Sequence, residues 1–183
     1  RDAFTACVLA LFIIVEWGTI YGFFRSQPLL APTSYWGDAQ FNGAVVAAAR
    51  RGDYLPFVSK RLPSLGAPYV AQWDDFPINE DVLFFLAGLL ARAVGVFGAI
   101  NIFYGLACVA AGLSMFFVAR RFRAGRPGAF LAGVLYGLSP FIYFRAVHHF
   151  SLDFYFFLPW VVLVAARLAS RRGIALRTPR WTH

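Results

Sequence analysis

The sequence predicts an all-α, polytopic helical membrane protein with about four transmembrane helices, a re-entrant or interfacial helix and a large extracytoplasmic first loop. Three observations carry that expectation. Of 183 residues, 60% are hydrophobic and 14% charged, whereas soluble domains run about 45–50% and about 25%, so the surplus apolar surface calls for lipid as its solvent. The apolar residues gather in long runs broken by short polar turns. Arginines, 16 of the 17 basic residues, collect at the ends of those runs, four between Arg120 and Arg126 and five between Arg167 and Arg180, as membrane insertion arranges them.

Composition also excludes. The two cysteines, Cys7 and Cys108, both lie inside apolar runs and offer neither a disulfide framework nor a thiolate metal site. The +8 charge does not point to nucleic acid, because no basic stretch is interleaved with an exposed polar helix or an RNA-binding motif. There is no phosphate-cradling glycine loop, HExxH, GxSxG elbow or CxxC. Arg1 opens the chain and Met115 is its single methionine, so the sequence is expected to be part of a longer chain.

The first apolar run, residues 3–24, is long enough to cross a hydrocarbon core of about 30 Å. A secretory signal fits less well, since an h-region is about 7–15 residues and ends at small residues, whereas this run ends in Tyr21-Gly22-Phe23-Phe24. Glu16 within it is costly in lipid and should face other helices or reach water near the helix end. Residues 25–81 form a hydrophilic outer loop, with six of the ten prolines and six of the nine acids. Within the loop, residues 38–51 read as a surface helix, with Asp38 as N-cap, arginines in the last turn and Gly52 as the stop.

Residues 82–94 reach only about 20 Å as a helix, so they are expected to be re-entrant or interfacial. If they span instead, the parity flips and the loop faces the cytoplasm. Residues 97–119, 127–144 and 153–169 are expected to span the membrane, and 170–183 to form a cytoplasmic tail. Both arginine clusters then lie inside, and the turn from Arg145 to Leu152 outside. Tyr35, Trp36, Trp73, Phe76, Tyr143, Tyr155 and Trp160 are expected near the outer interface, where amphipathic rings partition.

Candidate functional groups sit on the outer side. Asp38 either caps its helix or accepts a proton from an acceptor hydroxyl or amine. Asp74 and Asp75 belong to a stretch, Trp73 to Asp81, with four acids in nine residues. Crowded carboxylates stay solvated, bind a divalent cation or take raised pKa values. Arg145, His148 and His149 stand at helical spacing on the other outer turn. They either snorkel to the interface or hold a lipid phosphate by charge-assisted hydrogen bonds.

The order of features resembles the N-terminal part of the GT-C type polytopic membrane glycosyltransferases. It is carried by one membrane helix, then Trp36-Gly37-Asp38-Ala39-Gln40-Phe41, then Gly52-Asp53-Tyr54-Leu55-Pro56. A short apolar piece follows to Gly95, then a membrane helix closing in Ala119-Arg120-Arg121-Phe122, and Arg126-Pro127 opening a helix that reaches Leu138-Ser139-Pro140. The resemblance implies transfer of a sugar from a polyprenyl-phosphate carrier at the outer face of a bacterial inner membrane, with Asp38 at the position of the catalytic base. The acid pair of some members is absent, because Ala39 follows Asp38, so Asp74 or Asp75 stand as sharers of the task. The rival expectation is a non-enzymatic membrane transport or envelope-assembly component whose acidic loop docks a protein or binds cations. The concentration of acids outside the apolar segments favours interfacial chemistry over transport, which places ionisable groups near the bilayer midplane.

Overall fold

The computed structural model describes residues 1–24, 28–34, 37–63, 68–75, 81–145, 150, 152 and 154–170, with the backbone alone at Tyr143 and Arg145. It is mostly helical. The elements are α1 (Asp2–Ile20), α2 (Asp38–Arg51), β1 (Tyr54–Leu55), β2 (Ser59–Leu62), β3 (Ala71–Gln72), α3 (Asp81–Val94), α4 (Val96–Arg121), α5 (Arg126–Gly137), α6 (Pro140–Arg145) and α7 (Leu158–Ala169). Among the described residues two helices are long and apolar enough to cross a membrane: α1, with 19 residues, and α4, with 26.

α4 is the axis. α1 runs antiparallel to it, Ile13 and Trp17 packing against Gly112 and Gly105, and Asp2 closing the far end. There the Asp2 carboxylate accepts from Arg120 at 3.2 Å and from Arg126 at 2.7 Å, so one acid ties α1 to the arginine-rich turn between α4 and α5. α5 lies so close to α4 that a Cβ on Gly137 would stand 2.8 Å from the Cys108 carbonyl oxygen, and one on Gly133 would stand 2.8 Å from that of Gly112. Gly133 and Gly137 form the small-xxx-small spacing that lets helix backbones touch.

Residues 127–144 do not make one continuous helix. α5 stops at Gly137 and α6 begins at Pro140, because a proline has no N–H for the carbonyl four residues back and crowds the residue before it. The Tyr136 carbonyl, which Pro140 leaves without its helical partner, takes the Ser139 N–H at 3.4 Å instead. It also accepts from the Tyr155 hydroxyl at 2.9 Å, the Tyr136 hydroxyl returns a bond to the Tyr155 carbonyl at 3.1 Å, and Ser139 Oγ meets Tyr155 Oη at 3.0 Å. α6 is held in turn by the Tyr104 hydroxyl, which donates to the Ile142 carbonyl at 2.9 Å.

The expected span 153–169 is also shorter as a helix. α7 covers 12 residues, about 18 Å, and starts where Pro159 sits in its first turn, a position proline favours. The Trp160 indole N–H donates to Ser114 Oγ at 3.1 Å, and Ser114 lies nearer the arginine end of α4 than the other. A tryptophan N–H needs an acceptor when half buried, and the α4 serine supplies one.

The segment read as a loop carries a small sheet, so the chain is not purely helical. β1, β2 and β3 form an antiparallel meander, Tyr54 opposite Lys60 and Arg61 opposite Gln72. The β1–β2 turn has Pro56 second and Phe57 third, Phe57 at φ 61°, and closes with the Val58 N–H on the Leu55 carbonyl at 3.2 Å. That is the position of a type II turn at which glycine is usual.

Candidate functional site

α2 ends as its sequence dictates: Gly52 adopts φ 87°, and Arg50 and Arg51 occupy the last turn. At its start Gly37, not Asp38, is the N-cap. Asp38 is the first helical residue, exposed, where a carboxylate interacts favourably with the helix N-terminus. The buried face of α2 includes Asn42, Val45, Val46 and Ala49. It packs on α3, at Gly88, where a Cβ would lie 2.7 Å from the Ala49 carbonyl carbon and 2.9 Å from the Arg50 nitrogen. α3 turns Asp81, Phe84, Ala87, Gly88 and Ala91 inward and leaves Val82, Leu86 and Leu89 exposed.

Phe84 is the point at which the separated segments meet. Its ring packs edge-on to Phe41 of α2 at 6.4 Å and Tyr54 of β1 at 6.3 Å, and tilted against Phe150 at 5.7 Å. Phe41 lies three residues after Asp38, and Phe150 directly follows His149. Phe41 also stacks on Trp73 at 5.1 Å, which ties the first turns of α2 to the strand end from which Asp74 and Asp75 follow. Both aspartates are exposed. The Asp74 carboxylate accepts the Lys60 backbone N–H at 2.7 Å, and the Trp73 N–H reaches the Lys60 carbonyl at 2.9 Å.

Beneath this rim lies a polar group that sequence reasoning did not single out. Lys60 Nζ is 2.7 Å from Asp81 Oδ2, with side-chain exposures of only 10% and 11%, and the fully buried Tyr54 donates its hydroxyl to Asp81 Oδ1. Lys60 thus meets Asp74 through its main chain and Asp81 through its side chain. The available signal was that Lys60 is the single lysine among 17 basic residues; a compact ammonium suits a buried point contact where a guanidinium fork does not fit.

The sequence-derived set is therefore partly assembled. Asp38, Asp74 and Asp75 belong to one unit, held through Phe41, Trp73 and Lys60. Arg145 closes α6, and its side chain, with His148 and His149, lies outside the described residues. Phe150, the next described residue, packs on the same Phe84. Among the described residues no three His, Cys, Asp or Glu side chains converge to hold a metal ion; Glu80, of the same acidic stretch, lies outside them.

The whole unit sits at one end of α4. The Asn101 side chain, in the second turn of α4, donates to the Leu29 and Ala31 carbonyls at 2.7 and 2.8 Å, and Leu30 covers Gly98. The Asp2–Arg120–Arg126 cluster marks the opposite end. Set against family models, curated proteins and solved structures, the chain matches none.

Proposed function

We propose that this chain is the loop-bearing part of a GT-C type glycosyltransferase of the bacterial inner membrane. On this reading it crosses the membrane several times and transfers a sugar from a polyprenyl-phosphate carrier to an envelope acceptor at the outer face. The observation that carries the reading is the meeting of Phe41, Tyr54 and Phe150 on Phe84. It gathers the segments bearing Asp38, Asp74 and Asp75, together with Phe150, at the end of α4 remote from the Arg120–Arg126 cluster. The Arg120–Arg126 cluster at the other end of α4 fits a cytoplasmic face. Exposed Phe4, Leu11 and Phe12 on α1, and Leu131, Leu135 and Val162 on α5 and α7, form apolar surface that lipid or further helices would cover.

In this mechanism Asp38 takes the proton from the acceptor hydroxyl or amine. The freed lone pair attacks the anomeric carbon, and the carbon–oxygen bond to the carrier breaks. The electron pair leaves on the lipid phosphate, whose charge Arg145 and His148 or His149 balance. Asp74, oriented by the Lys60 N–H, or Asp75 shares the proton transfer.

Replacing Asp38 with Asn in the full-length chain should lower transfer from polyprenyl-phosphate sugar by about 10²–10⁴-fold, read as label appearing in the acceptor. Unchanged transfer removes the proposed base. Unchanged transfer in Asp38→Asn, Asp74→Asn and Asp75→Asn alike would leave the transport or assembly reading standing instead.

A further inference from the structure

Three arginines converge where α2 and α3 both end. Arg50 and Arg51 of α2, Arg92 of α3, Ala47 and the first residue of α4, Val96, line an open cleft of about 440 Å³. Arg92 Nε donates to the Arg50 carbonyl at 3.2 Å, which fixes that guanidinium against the end of α2. Arg51 Nε pairs with Asp53 at 2.9 Å. Among the described residues no carboxylate pairs with Arg50 or Arg92. Two helix C-termini favour cations and account for arginines here, but not for their convergence on a shared space, where like charges repel.

We propose that the Arg50–Arg51–Arg92 cleft binds the phosphate of an anionic phospholipid headgroup from the surrounding bilayer. Guanidinium forks match phosphate oxygens in pairs. The flank is apolar: Val96 walls the cleft, and Leu89, one turn before Arg92 on the same face of α3, is exposed. A free phosphate gains nothing from those side chains, whereas the acyl chains attached to a headgroup cover them. Such a lipid would pin the α2–α3 unit to the membrane surface. The proposal rests on the membrane placement above and not on sugar transfer.

The test is titration of the purified full-length protein in neutral detergent with phosphatidylglycerol and with phosphatidylcholine, bound lipid being counted by native mass spectrometry. Phosphatidylglycerol should bind at least about tenfold more tightly. Arg50→Gln should weaken it about fivefold and Arg50→Gln with Arg92→Gln about twentyfold, whereas Arg121→Gln, at the far end of α4, should retain it. Because Arg92 also holds the Arg50 carbonyl, the single Arg50→Gln variant keeps the result readable if the double variant unfolds. Equal binding of the two lipids, or undiminished phosphatidylglycerol binding in Arg50→Gln, overturns the proposal. Displacement of the lipid by an equal concentration of inorganic phosphate overturns the headgroup assignment in favour of a free anion. Failure of the membrane reading is separable: the protein would then leave membranes in alkaline carbonate without detergent.

Discussion

Between α4 and α5 backbone meets backbone. Glycines at 112, 133 and 137 remove every side chain that would keep the two helices apart, and the contact is made of dispersion between closely approaching chains. Between α2, the small sheet and α3 the interior instead contains a lysine, an aspartate and a tyrosine hydroxyl, wrapped in the rings of Phe41, Phe84 and Trp73. The helical pair relies on what has been left out, and the loop-derived unit on what has been matched inside it. A matched charge pair is unforgiving, because removing one member strands the other, whereas a glycine contact fails only when something is added.

The largest effect expected from breaking that contrast comes from Lys60. Lys60→Met leaves the Asp81 carboxylate buried with the Tyr54 hydroxyl alone, and should destabilise the purified protein by about 3–5 kcal/mol, measured by thermal or denaturant unfolding. Lys60→Met combined with Asp81→Leu should recover most of the loss. A cost below about 1 kcal/mol for the single change would mean that this interior is solvated like a surface pair.

The glycine contact should respond less and with a sign that depends on position. Gly137→Ala drives a methyl into the Cys108 carbonyl and the Gly112 backbone and should cost about 1–3 kcal/mol. Gly128→Ala, on the same helix but with open space around it, should be stabilising by up to about 1 kcal/mol. Equal effects at the two positions, read from unfolding midpoints, would contradict backbone contact between α4 and α5.

The smallest effect lies at the β1–β2 turn. Phe57 holds a left-handed conformation at φ 61° while 86% exposed, so its ring contributes little packing. Phe57→Gly should raise stability by about 0.5 kcal/mol, relief of strain exceeding the flexibility that glycine adds to the unfolded chain. A loss of stability in the same unfolding assay would assign the ring a contact that compensates its backbone.

Much of this was legible because its causes are local. Gly52 after Arg50-Arg51 ends a helix whatever surrounds it, and α2 stops there. The runs that become α1 and α4 announce themselves by length alone. Proline was equally informative and carries more weight than hydropathy gives it: Pro140 divides residues 127–144, and Pro159 sets the start of α7, although both segments read as uninterrupted apolar runs. The sheet was not legible, since strands of two to four residues have too short a pattern to stand out, and their register depends on the Pro56-Phe57 turn and on Asp74 holding the Lys60 N–H.

Residue type alone indicated which groups are acids, but not which of them is solvated. Asp81 stands in the same acidic stretch as Asp74 and Asp75, yet it is buried on Lys60 while the other two are exposed; the pairing joins residues 21 positions apart through a hairpin no short window contains. Sequence by itself determined the apolar helices, their arginine-marked end and the acidic segment between them, because charge and hydropathy act on each segment separately. Tertiary structure alone decided that Phe84 joins that segment to Phe150, that Lys60 sits beneath its acids and that three arginines share one cleft. Those arrangements arise from contacts between elements, and the chain specifies them only when it packs.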